Sequence, residues 1–114
     1  MGRDDIRRII LQKSDVPGTN YEMVLGIAET APNADFASHT HPGMESGYLL
    51  EGSMTHIMRG RLARDVRAGD SVLIPAGVPH RGRAGPNGAK IVSTWVVEKG
   101  KPLASPADPP PEAE

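Results

Sequence analysis

The chain has 114 residues and not one cysteine. That absence removes disulfides, thiolate metal sites and a cysteine nucleophile together, and it leaves the redox compartment open. Aromatic residues are scarce at 4%, with one Trp, one Phe and two Tyr, which is thin material for base-stacking platforms. The formal net charge of −1 supplies no basic field to attract a nucleic acid. No apolar run approaches the length that spans a bilayer. The opening MGRDDIRRIILQK lacks the apolar stretch and small-residue cleavage site of a secretory signal, and Ile6 stands where a myristoylation signal needs Ser or Thr. These absences point to a soluble cytoplasmic protein with no membrane and no nucleic-acid partner. The length suits one domain with its own core.

Glycine and proline, by contrast, are plentiful at 13 and 11 residues, and they fall between short runs. The runs at 8–12, 21–30, 36–41, 46–51, 54–58, 62–66, 71–74, 80–84 and 89–97 read as strands. Turn residues such as Pro17-Gly18, Pro42-Gly43, Gly52, Gly69 and Pro86-Asn87-Gly88 separate them. No segment holds a helical apolar period for three turns without a Pro or Gly. Many short strands at this spacing predict an all-β sandwich or barrel. The runs 46–51 and 54–58 should form a hairpin around Gly52. The barrel should occupy residues 1–98, with its core over 20–98 and a first strand at 6–12. Residues 99–114 carry five prolines and an acidic end, and read as a mobile or surface-hugging tail.

Chemistry concentrates in FASHTHPGMESGYLLEG, residues 36–52. Pro42 excludes a helix through HTHPG, because the residue before a proline is pushed toward extended geometry. On a strand, His39 and His41 share a face, about 7 Å apart at roughly 3.3 Å of rise per residue. Pro42-Gly43 then turns the chain, and Glu45 can point back into the same space. Two imidazoles and a carboxylate suit a divalent transition metal, with a fourth ligand to come from elsewhere. Taken alone, this spacing equally describes hydrogen-bonded surface histidines. A second stretch, GDSVLIPAGVPHRGRA at residues 69–84, adds a buried-looking strand, a Pro-Ala-Gly turn and then His80, which can look inward.

Together the two stretches resemble the paired motifs of the cupin superfamily. His39, His41, Glu45 and Gly52 meet the spacing of the first motif, and Gly69, Pro75, Gly77 and His80 that of the second. Two positions depart from the pattern: Asn33 replaces an opening glycine and Ala84 a closing asparagine. The first is mild, since Asn tolerates left-handed backbone. The resemblance covers residues 20–98 and implies a single-domain jelly-roll β-barrel. It also implies one metal ion per chain, held by His39, His41, Glu45 and His80. Four ligands on an octahedral ion leave two positions for water, substrate or dioxygen. Iron is the first expectation, with Mn, Ni, Cu and Zn admissible.

Function has to come from the site, because one fold hosts many activities. An intact ligand set implies dioxygenase-like oxidation of a small organic molecule, with non-redox isomerase or lyase chemistry as the variant. A non-catalytic module that holds a small ligand or metal is the alternative from another class. Outside the motifs, His56 should share the lumen with Glu45, either as a buried neutral imidazole or as an acid–base group beside the metal. The strand IVSTWVV is apolar on both faces, and Tyr48 and Leu50 should point outward, so a homodimer is expected. Trp95 and Tyr48 read as packing or interface residues.

Overall fold

A computed structural model describes residues 5–112 as eight antiparallel strands with no α-helix. They are β1 (Ile6–Asp15), β2 (Tyr21–Thr30), β3 (Asp35–Thr40), β4 (Gly43–Met58), β5 (Arg64–Arg67), β6 (Ser71–Ile74), β7 (His80–Glu98) and β8 (Ser105–Pro106). Among the described residues no helix is long and apolar enough to cross a membrane. The long strand β7 organises the rest. One of its edges pairs with β4 from Gly43↔Val97 to Met58↔His80. The other pairs with β2 over 90–98 and with β3 over 80–83. β5 and β6 complete the far edge of β4, and β1 covers β2. The result is the jelly-roll barrel that the motifs imply. Leu49, Met54, Val66 and Ile91 form its apolar centre, with Phe36 and Val72 against them.

The expected hairpin around Gly52 does not form. Residues 46–51 and 54–58 belong to one strand, β4, and residues 80–84 and 89–97 likewise belong to β7. Gly52 takes a φ of +76°, and a Cβ there would run into the Gly88 carbonyl. It is therefore a point of close backbone approach between two long strands and not a chain reversal. The inward placement of His56 survives by a different cause. Leu49 pairs with Ile91 and Glu51 with Lys90, so β4 carries one extra residue between them. That bulge shifts the buried set from Glu45, Gly47 and Leu49 to Met54, His56 and Met58.

Two smaller features concern the motif departures. Asn33 sits at φ +61°, the left-handed geometry that the glycine it replaces would adopt. Ala84 is buried against Ala34 and Ala89, with Ile6 beside them. The Pro-rich segment lies on the barrel. Ser105 and Pro106 pair with Thr40 and His39. Further on, Arg81 Nε donates to the Pro110 carbonyl at 2.9 Å, and Ala63 N to the Glu112 carbonyl at 3.1 Å.

Candidate metal centre and cavity

Strand parity explains how the histidines meet. His39, the penultimate residue of β3, pairs directly with His80 at the start of β7. His41 follows in the short connection to β4, where its carbonyl accepts the Gly77 N–H at 3.0 Å and so ties the Pro-Ala-Gly turn to it. That turn runs from Pro75 to Val78, with Gly77 at φ +73°, as the third residue of a type II turn requires. The three rings lie 4.2–5.0 Å apart between centroids. One ligand nitrogen from each falls within 4.8 Å of the others.

The hydrogen bonds decide which nitrogen is free. His39 Nδ1 donates to the Ala37 carbonyl at 2.7 Å, His41 Nδ1 to the Leu103 carbonyl at 2.7 Å and His80 Nδ1 to the Val78 carbonyl at 2.9 Å. A carbonyl only accepts, so each Nδ1 carries a proton and each Nε2 is the ring nitrogen left to face the centre of the group. Backbone carbonyls holding the outer nitrogens is the arrangement that orients imidazoles toward a metal. Burial pushes the His39 and His80 imidazoles below their usual range, His80 to about 4. Both are therefore neutral near pH 7, the ligating form.

Glu45 faces this group from β4. Its Oε1 lies 2.9 Å from His41 Nε2 and 3.8 Å from His80 Nε2, while Oε2 accepts from Ser93 Oγ at 2.9 Å. Burial alone would raise its carboxyl, but His41 and Ser93 hold it below the ordinary carboxylate range. His41 Nε2 and a carboxylate oxygen 2.9 Å apart need a proton or a cation between them. His80 Nε2 is buried without a hydrogen-bond partner. The orphaned nitrogen, the three clustered imidazoles and the facing carboxylate are what a divalent transition metal would satisfy, and the His39-His41-His80 group could hold one ion.

Sequence reasoning missed two partners. Trp95 faces inward, and its Nε1–H points at His41 Nε2 from 3.3 Å. No sequence signal marked it, because its place opposite Glu45 follows only from the β4–β7 register. The Leu103 carbonyl had none either, because a backbone oxygen in a Pro-rich segment carries no side-chain motif. A chain ended at Pro102 should keep the barrel but bind metal roughly 10–100-fold more weakly, the usual cost of losing an outer partner. Competitive titration against a chromogenic chelator measures this, and unchanged affinity would dismiss the Leu103 contact.

The group closes one end of a cavity of about 460 Å³. Leu49, Met54, Val72 and Ile91 supply an apolar wall, and Leu103–Pro106 cover one side. His56 reaches the same space with its ring centroid 6.2 Å from that of His80. His56 Nε2 is buried and unpartnered, and burial holds its pKa below the usual histidine value.

Comparison with known proteins agrees with this architecture. The profile of the Cupin domain family, Cupin_2, matches residues 26–97. The chain belongs to the cupin family. Over 70 residues it is 38% identical to dimethylsulfoniopropionate lyase DddW of Ruegeria pomeroyi, a match covering 61% of this chain and 45% of the relative. The cupin chain thus spans under half the length of that curated relative. Among solved structures, the DMSP lyase DddQ of Ruegeria pomeroyi superposes with a TM-score of 0.77 at 19% identity, over 94% of this chain and 55% of the other. The polyketide cyclase RemF of Streptomyces resistomycificus gives 0.70 at 25% identity, over 92% and 72%.

Proposed function

We propose that this cupin is a metal-dependent enzyme of the non-redox kind, a lyase that eliminates a leaving group from a small organic molecule inside the barrel. The observation that carries the reading is the pairing of the His39-His41-His80 group, faced by Glu45, with an unpartnered His56 Nε2 across one apolar cavity. His39, His41, His80 and Glu45 would hold a single divalent ion. When bound, it would act as a Lewis acid that stabilises negative charge developing on a substrate oxygen. His56 is neutral near pH 7 and can accept a proton at Nε2 from the carbon beside that charge-stabilised group. The C–H electron pair then forms the double bond as the leaving group departs with its own pair. The apolar wall excludes water and strengthens these charge interactions. The lyase variant takes precedence over dioxygen chemistry because the curated relative is named as a lyase.

The experiment is turnover of dimethylsulfoniopropionate and other short acids bearing a leaving group, with and without dioxygen. Alkene product released equally in both is the expected result. Turnover that requires dioxygen would overturn the lyase reading in favour of oxidation.

The same proposal includes a homodimer. Met44, Tyr48, Leu50 and Leu73 are exposed on the outer face, beside Val92 and Val96 of β7. A second copy of the same sheet face would cover them. Light scattering should return twice the 12.1 kDa chain mass at micromolar concentration, and a monomer there would end the idea.

A further inference from the structure

The cavity has a second end that the metal group does not use. In the inner face of the sheet, Arg8 pairs with Ala28, Ala28 with Ile91, and Ile91 with Leu49. The row of Val24, Trp95 and Glu45 lies four residues further along each strand. Arg8 and the histidine group therefore address different ends of one space. β1 shares no ladder with β3, and the Arg8 guanidinium spans the gap between them, 6.0 Å from the Phe36 ring centroid. Arg8 is itself exposed, so that contact sets a planar cation at the mouth of the cavity.

Arg8 makes no ion pair among the described residues, although its charge is felt at His39. Arg81, the other arginine on the wall, is tied to the Pro110 carbonyl. Glu45, the only carboxylate among the lining residues, is occupied by His41 and Ser93. Among the described residues, the cavity thus offers one cation without an ion-pair partner beside an apolar wall. A single guanidinium matches one planar monoanion through two parallel N–H donors, whereas a phosphate dianion would call for further cations. The strand that carries Arg8 lies outside the matched family segment, 26–97, so the assignment comes from this chain's own geometry.

We infer that Arg8 is a substrate-specificity residue, which binds the carboxylate of a small organic acid that carries a second oxygen at its reacting end, toward His39, His41 and His80. The inference rests on the reading of the cavity as a substrate site and names the class of molecule that enters it. An acid so held presents its apolar stem to Phe36, Leu49 and Met54. The corresponding amide keeps the stem and loses the ionic pair.

Calorimetric titration of the metal-loaded full chain with 3-phenylpropionate and with 3-phenylpropionamide tests this without any turnover. The acid should bind about tenfold more tightly than the amide, the discrimination expected from one charge-assisted pair. Arg8→Gln should abolish that preference with metal content unchanged, and Arg8→Lys should keep part of it. Equal affinity for acid and amide in the wild type, or no binding of either, would overturn the assignment. A preference that survives Arg8→Gln would equally overturn it and place the carboxylate at the metal group. Should the Arg8-dependent preference hold while no acid is turned over, the lyase reading fails and the carboxylate subsite stands.

Discussion

His41→Ala and His80→Ala proteins should each leave purification with metal affinity reduced on the order of a hundredfold or more. Losing only an outer hydrogen-bond partner already costs roughly 10–100-fold, and these substitutions remove a donor atom outright. The two positions are chosen for their burial, 5% and 4% exposed, because no solvent-side residue can swing in to replace the lost nitrogen. Removing either ring also relieves the close group of imidazoles, so the fold should survive. A ligand that binds only the native state raises stability by about 2.7 kcal/mol at a hundred times its Kd. A chelator should therefore lower the unfolding midpoint of the wild type and leave that of His80→Ala nearly unmoved. Elemental analysis reads the first effect and thermal scanning the second. Full metal content in both variants would remove the site.

Part of this group was legible in the sequence because its geometry is short-range: alternation along β3 sets His39, and a proline-glycine turn brings Glu45 back four residues beyond His41. His80 joins them only through the pairing of β3 with β7 and was legible through the resemblance of its motif, not through local geometry. The hairpin expected around Gly52 failed for the complementary reason. A glycine at positive φ serves a tight turn and a bulge alike, and only the pairing of β4 with β7 decides between them. That pairing joins residues far apart in sequence and leaves no local trace. The tail shows the same limit more sharply. Its composition predicts poor burial, yet it is anchored through backbone carbonyls at Leu103, Pro110 and Glu112, which no residue code records. Trp95 was read as packing, and its inward indole became visible only once register placed it opposite Glu45.

His56→Gln should retain metal and fold while lowering turnover about 10²-fold or more, the usual share of a general acid or base. His56 is the one histidine outside the ligand group, and it stands where the β4 bulge turns it into the lumen. Met54 and Met58, the buried residues two before and two after it, are apolar. A polar nitrogen left without a partner in such surroundings carries an energetic cost. A purely structural histidine would be expected to satisfy its Nε2 through a neighbour, and no hydrogen-bond partner meets it there. A bound substrate offering a proton at that position would satisfy it. Burial also holds the imidazole neutral near pH 7, the form that accepts a proton. Glutamine keeps the approximate size and the hydrogen-bonding capacity but cannot take up a proton at neutral pH. Loss of turnover with native metal content and a native unfolding midpoint would mark His56 as the proton acceptor. Unchanged turnover would return it to a packing role, and loss of turnover together with metal would show that it acts by holding the neighbouring His80 in place.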